Sequence, residues 1–299
     1  MKHSFKEWFI ATRYWSFPVS VMPVVATYAY LVSEGLVPAG IKPHLIALLS
    51  MIGVALLHAG GNVLSDWFDF RSGVDNPDAF AVPNLVFHKF EPSEYFRFSI
   101  WLLAAGAAIG LFISWLSGPG LLIIGGLGFL LTLLYSFLKY RALGDLDIFI
   151  IFGVLTVAGA AYAITGSYLP DALILSVPIG VITVSVLHAN NTYDTLSDRA
   201  AGIKTFAMLI GQKTSALLYC CYMVFPFVYM AIAVAAGKLH PLSLLCFVAL
   251  IPALKNLRQA ASYDKIGLEA MKGLDQATAQ MQLMFSGLLS IGLFISALL

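Results

Sequence analysis

Residues 119–138 read PGLLIIGGLGFLLTLLYSFL, twenty positions without a charged side chain, and the next residue is Lys139. As a helix rising about 1.5 Å per residue, this run is about 30 Å long, the thickness of a bilayer's hydrocarbon core. Transmembrane β-strands alternate and are short, so continuous runs of this kind read as helices. The same signature recurs near 15–33, 41–65, 95–116, 146–166, 172–193, 215–236, 241–257 and 279–299. The run at 241–257 is short and contains Pro252. Composition agrees: 60% of the 299 residues are hydrophobic, 11% are charged, and mean hydropathy is +0.86. Soluble domains carry about 25% charged residues, so lipid is the expected solvent. A net charge of +1 gives no reason to expect nucleic acid. Lys2, Lys6 and Arg13 precede the first run. That run is long and lacks a small-residue cleavage pattern, so it reads as a retained span, not a signal peptide. Cys220, Cys221 and Cys246 lie in apolar runs without metal-ligand spacing and read as packing residues.

Threading nine spans from a cytoplasmic N-terminus puts fifteen of the 17 Lys and Arg residues on the cytoplasmic side, leaving Lys42 and Lys238 outside. This bias supports the orientation and the count together. The sequence therefore predicts an all-α polytopic membrane bundle, one domain over 1–299, with its C-terminus outside. Asp66, Asp69, Asp75, Asp78, Asp145, Asp147, Asp194 and Asp198 all fall on the cytoplasmic side. Acids contribute little to topology, so their gathering at one face needs another cause.

Two stretches supply it. The second span ends in NVLSDWFD (62–69), and the sixth ends in NNTYDTLSD (190–198). Helical residues three or four apart share a face, so Asn62, Asp66 and Asp69 form one polar stripe and Asn190, Asp194 and Asp198 another. The shared Asn-x-x-x-Asp, four spans apart, points to an internal helical repeat, with motifs over 62–75 and 190–205. Carboxylates gathered near a membrane repel unless a cation joins them. Oxygen ligands suit Mg²⁺, which binds through a few carboxylates plus substrate phosphate oxygens. Taken singly, either stripe reads as a solvated helix end; taken as a pair on one face, they describe a diphosphate clamp. Tyr135 and Lys139, one turn apart in YSFLK, close the fourth span on that face. Lys139 suits diphosphate oxygens and the Tyr135 ring suits a developing cation, although a Tyr/Lys pair also anchors helices at the interface.

These segments, NVLSDWFDFRSGVD, YSFLK and NNTYDTLSDRAAGIKT, with the opening TRYWSFPVSVMP, resemble the UbiA superfamily of intramembrane aromatic prenyltransferases. The fragments DWFDFRSGVD and NNTYDTLSDRAAGIKT look most like its menaquinone branch, whose members prenylate 1,4-dihydroxy-2-naphthoate with loss of its carboxyl group. The resemblance implies that Asp66, Asp69, Asp194 and Asp198 hold Mg²⁺ and the diphosphate of a polyprenyl donor. It implies that Asn62 and Asn190 are motif asparagines, and that Tyr135 and Lys139 are the YxxxK element. It further places Lys204 and Arg13 as basic diphosphate contacts and Asp75 in the metal site or at its rim. His58 and His188 either orient an acceptor hydroxyl or are hydrogen-bonded bundle histidines; Asp145 and Asp147 either touch the acceptor or cap the next helix. Ser65 and the loop DAFAVPNLVFHKF (78–90) depart from the branch's pattern and bear on the acceptor. Other branches act on 4-hydroxybenzoate and further acceptors. A secondary transporter is the reading from another class, but its site would lie at mid-membrane, whereas these acids sit at span ends. The resemblance implies a bacterial plasma membrane, a lipid-embedded donor, an aromatic acceptor and no required protein partner.

Overall fold

The computed structural model describes residues 3–73 and 84–299. Nine helical segments among them are long and apolar enough to cross a membrane: Tyr14–Ser33, Lys42–Arg71, Pro92–Ser117, Gly120–Lys139, Gly144–Thr165, Pro170–Tyr193, Gln212–Ala235, Pro241–Met271 and Leu274–Ser296. No strand forms among the described residues beyond an isolated bridge between Arg141 and Lys204. The all-helical reading holds, and the three cysteines are free.

A short helix, Phe5–Ala11, precedes the first span. Ser4 Oγ accepts the Glu7 N–H at 3.3 Å while the Glu7 carboxylate accepts the Ser4 N–H at 2.8 Å, which satisfies two end donors reciprocally. Arg13 then takes a left-handed conformation, φ 54°, and swings the chain into the bundle. That turn is what lets a basic side chain reach inward from the rim.

Three helix ends differ from the sequence reading by five residues or more. The second span runs to Arg71, not 65; the last starts at Leu274, not 279; the eighth continues in short helical pieces to Met271, not 257. In each case polar residues mark a loop on hydropathy grounds. On the second and last spans Asp66, Asp69, Thr278 and Gln282 are buried and find partners inside the bundle; on the eighth, Lys255, Arg258, Asp264 and Lys265 stay exposed. Pro252 lies in the first turn of helix Leu250–Ala260, where its missing N–H costs nothing.

Burial orders the spans. The sixth is the axle, with 72% of its apolar window buried; the fourth, at 17%, lies at the periphery. Trp101, Trp115, Ile123 and Ile251 point outward, each at least 71% exposed, as a lipid-facing surface requires. Small residues set the closest approaches. A Cβ on Gly60 would meet Leu103, and one on Gly106 would meet Leu57, both at 2.7 Å, so glycine draws the second and third spans together. Within the fifth span, Phe149–Leu155 is a π-helical turn whose Gly153 abuts Gly180 of the sixth.

The tightest approach is Gly292 of the last span against the Leu242 carbonyl of the eighth, where a methyl group would overlap backbone. Gly292→Ala should therefore force these spans apart and destabilise the bundle by about 1–3 kcal/mol. The measurement is thermal unfolding of the purified protein in detergent; an unchanged Tm would contradict the packing described.

Candidate active site

The described carboxylates of the two motifs gather with Tyr135 and Lys139 at one end of the bundle, the end that also carries the Phe5–Ala11 helix. The second span contributes its stripe in two layers. Asn62 Nδ2 donates to the Thr12 carbonyl at 3.0 Å and to Ser16 Oγ at 3.2 Å, fixing the turn that holds Arg13. Asp66, 2% exposed, takes the Arg13 guanidinium on one oxygen and the Tyr95 hydroxyl on the other at 3.0 Å. Asp69 accepts from the Tyr140 hydroxyl and pairs with Lys139 Nζ at 3.4 Å. Asp69 lines the central cavity, whereas Asp66 stands behind Arg13 and does not.

The second motif closes the opposite wall. The sixth span stops at Tyr193; Asp194 follows, accepting from Asn190 Nδ2 at 2.8 Å, and the helix Thr195–Ala200 carries Asp198. Asp198 is 3% exposed and its Oδ2 has no hydrogen-bond partner. Burial pushes the Asp194 carboxyl up to about 6, against the pull of Lys139, with Asp275 adding to the rise. Burial likewise raises Asp198 to about 7, with Lys139 opposing and Asp194 and Asp69 adding repulsion. The two motifs thus feel each other's charge, with Lys139 between them.

Beneath this rim lies a cavity of about 690 Å³, lined at its mouth by Arg13, Asp69, Lys139, Asn190, Asp194 and Asp198. Tyr135, Asn62 and His58 line it just below. Both ring nitrogens of His58 face serines of the first span, Ser20 at 3.0 Å and Ser16 at 3.4 Å. Lys204 is exposed and does not line the cavity; its backbone N–H donates to the Tyr140 carbonyl at 3.2 Å, tying the second motif's loop to the end of the fourth span. Asp75 and Asp78, and with them the end of the first motif, fall outside the described residues.

His188 does not reach the cavity. It is fully buried, its Nδ1 2.6 Å from Asp145 Oδ2 and its Nε2 2.8 Å from Ser215 Oγ, which in turn meets Thr192 Oγ1 at 2.5 Å. This chain joins the starts of the fifth and seventh spans to the sixth, at His188, nearly two turns before Asp194. Asp147 is buried without a hydrogen-bond partner.

Sequence reasoning missed four residues of this region: Tyr95, Tyr140, Asp275 and Gln276, the last two lining the cavity. A signal existed for the last span, where Asp275, Thr278 and Gln282 recur at helical spacing. Gln282 donates to Thr183, itself a cavity residue, at 2.7 Å.

Among the described residues, no three carboxylate, imidazole or thiol groups stand close enough to cage a metal by themselves. The donor set nevertheless fits Mg²⁺: it is all oxygen, it includes an orphaned buried carboxylate oxygen on Asp198, and Mg²⁺ ordinarily takes one or two carboxylates and completes its shell with water and substrate phosphate. Asp69, Asp194 and Asp198 are motif carboxylates that line the cavity.

Comparison with known proteins gives a consistent picture. Residues 20–267 match the UbiA prenyltransferase family. The chain is 34% identical over 274 residues to UbiA prenyltransferase domain-containing protein 1 of Xenopus tropicalis, covering 88% of this chain and 78% of that protein. Its fold is similar to that of a UbiA homolog from Aeropyrum pernix K1, with a TM-score of 0.71 at 19% identity over 98% of each chain. It is also similar to a UbiA homolog from Archaeoglobus fulgidus bound to GPP and Mg²⁺, with a TM-score of 0.69 at 14% identity over 98% of this chain and 100% of that one.

The raised Asp194 and Asp198 carboxyls give a pH test. Unfolded, such groups ionise near about 3.9; folded, they hold protons to about 6 and 7. Their contribution to stability is therefore present at low pH and lost as pH rises through those values. Mg²⁺ binds the ionised form and offsets the loss. Thermal unfolding in detergent should show Mg²⁺ raising Tm clearly at about pH 8 and little at about pH 5. A rise of equal size at both would count against these carboxylates as ligands.

Proposed function

The chain belongs to the UbiA prenyltransferase family and is a prenyltransferase, and from that premise we propose that it transfers a polyprenyl group from its diphosphate to an aromatic acceptor, with Mg²⁺, at the cytoplasmic face of a membrane. The observation that carries this reading is the cavity itself: Asp69, Lys139, Asp194 and Asp198 face one another at its mouth, and its shaft is apolar. An amphipathic donor has that shape of polarity, with a charged head and a hydrocarbon tail. The Archaeoglobus homolog, bound to GPP and Mg²⁺, supports the donor class and the metal. Family membership also argues against a transporter.

Mg²⁺ held by Asp69, Asp194 and Asp198 would neutralise the donor's diphosphate and make it a better leaving group. Asn190 braces Asp194 for that task, and Tyr140 braces Asp69. Lys139 and Arg13 present positive charge where negative charge grows as the allylic C–O bond breaks and the diphosphate leaves with the electron pair. Asp66 and Tyr95 do not meet the donor in this scheme; they aim Arg13. The carbon left behind is cation-like. Tyr135 offers it a π face, and the apolar shaft keeps water away. A carbon of an electron-rich ring attacks, forming the new C–C bond, and the group it displaces, a proton or a carboxyl lost as CO₂, restores aromaticity.

For the acceptor we propose 1,4-dihydroxy-2-naphthoate, on the strength of the menaquinone-branch likeness in DWFDFRSGVD and NNTYDTLSDRAAGIKT; the relative's name specifies the family and no acceptor. That likeness also supports a bacterial plasma membrane, while the Xenopus relative is eukaryotic. The lysine and arginine bias supports a cytoplasmic mouth in either setting.

With a labelled allylic diphosphate and a panel of aromatic acceptors, turnover should require Mg²⁺ and stop with a chelator. Asp69→Asn and Asp194→Asn should each lower kcat/KM by about a hundredfold or more while leaving folded protein intact. Full activity in either variant would defeat the scheme, and product formed only with a different acceptor class would overturn the naphthoate proposal alone.

A further inference from the structure

A second cavity lies outside the machinery described above. It is a groove of about 370 Å³ between the fifth, sixth and seventh spans, and it shares no lining residue with the central cavity. Its size falls in the range of small-molecule sites. Phe149, Phe206 and Tyr222 give it aromatic walls. Leu143 and Leu146 also line it and are 45% and 56% exposed, so the groove opens on the outer surface of the bundle, where the chain meets lipid.

One charged residue lines this groove, Asp145, which is only 8% exposed. Its Oδ2 lies 2.6 Å from His188 Nδ1. Its Oδ1 is buried and has no hydrogen-bond partner. Buried polar atoms are ordinarily paired, so an orphaned acceptor marks a place where a donor is missing. Among the side chains that line the groove only Tyr222 carries a donor, and it does not reach Oδ1. The surroundings are held in place. His188 is fixed on its far side by Ser215, and its ring stands edge-on to Tyr222 with centroids 5.6 Å apart. The Phe149 ring is seated against Gly180, where a Cβ would come within 2.8 Å of it.

We infer that this groove is a second ligand site, and that its occupant is a membrane-soluble phenol whose O–H donates to Asp145 Oδ1 while its ring lies among Phe149, Phe206 and Tyr222. An acyl chain would fill the apolar part but brings no donor. An ammonium headgroup would have to shed its hydration for one acceptor oxygen, and a neutral hydroxyl does so at far lower cost. On the fifth span the lining runs from Leu143 to Phe149, about 9 Å, which suits one or two fused rings and is too short for a four-ring sterol. The prenylated ring released by the proposed reaction belongs to this class, with its tail left in the lipid beyond Leu143 and Leu146. That last identification rests on the proposed reaction; the phenol site does not.

The test uses 1-naphthol carrying a diazirine, photolysed on the full chain in lipid nanodiscs, with labelled peptides mapped by mass spectrometry. Label is expected within 142–149 and at Phe206 or Tyr222. Free 1-naphthol should block it at about tenfold lower concentration than naphthalene, which has the rings without the donor. Leu146→Trp and Val181→Phe, which fill the groove from two different helices, should remove most of that label. Asp145→Asn should shrink the preference for 1-naphthol to about threefold or less, since a neutral acceptor holds a donor about half as strongly. Naphthalene competing as well as 1-naphthol would show a groove that takes any apolar chain, and label confined to the central cavity would show no second site. Either result overturns the inference, as does a preference that Asp145→Asn leaves unchanged. Thermal unfolding reports whether each variant is folded; if Asp145→Asn is not, the wild-type preference and the two filling variants decide. Binding is read without turnover, so a failure of prenyl transfer would bear on the proposed reaction alone.

Discussion

Everything at the rim follows from one electrostatic constraint: carboxylates repel, and this fold brings five of them, Asp66, Asp69, Asp194, Asp198 and Asp275, to the mouth of an apolar bundle. Arg13 answers Asp66, and Lys139 answers Asp69. Asp194 has only the Asn190 amide, and Asp198 has an oxygen with no partner at all. Five carboxylates against two cationic side chains leave a net negative charge at the mouth that a divalent cation would offset. Burial raises Asp194 and Asp198, so protons are the weaker answer to the same charge. In the proposed scheme Mg²⁺ together with a diphosphate would be the fuller one, since the lysine and arginine would then face the anion that the metal brings.

Such a site has to be assembled from distant sequence, and two polar tethers do it. The Lys204 N–H reaches the Tyr140 carbonyl, linking the loop after Asp198 to the residue beside Lys139. Deeper, the His188 ring spans Asp145 and Ser215 within the bundle, where an unpaired partner would be costly. Asp145 follows Lys139 by six residues and His188 precedes Asp194 by six, so this pair holds the two walls of the mouth together from behind. Lys204 thus contributes its main chain to this tether, and its exposed side chain is not part of the cavity's lining.

The fold was legible because lipid imposes a pattern that few sequences produce by accident. Nine apolar runs and a one-sided distribution of lysine and arginine leave little freedom. Helix ends were less legible, since hydropathy treats an inward-facing polar residue as a loop residue. The second span therefore ended too early at SDWFDFR, and the last began too late, after LDQAT. Within the site, the spacing of Asn62, Asp66 and Asp69 identified a stripe. It could not rank the two aspartates, because that depends on how far Arg13 swings in from a left-handed turn. Tyr95 was invisible for a similar reason: a tyrosine in the first turn of an apolar helix is ordinarily an interface anchor, and only its partner across the bundle makes it part of the Arg13–Asp66 pair.

The fourth span brings these strands together. It is the least buried of the nine, yet it carries Tyr135 and Lys139 at the mouth and Gly125 and Gly126 down the shaft. One sparsely covered helix thus carries lining residues from the mouth to the far end of the cavity. A soluble enzyme with a cavity of this depth would need a second layer of protein to keep water out. Here the bilayer is that layer, and it excludes water for as long as the helix stays in place. The same arrangement lets a hydrocarbon tail pass between solvents of equal polarity, so no apolar surface has to be wetted on the way in. A membrane bundle is thus the economical architecture for a reaction that pairs a highly charged leaving group with a carbon that must not meet water.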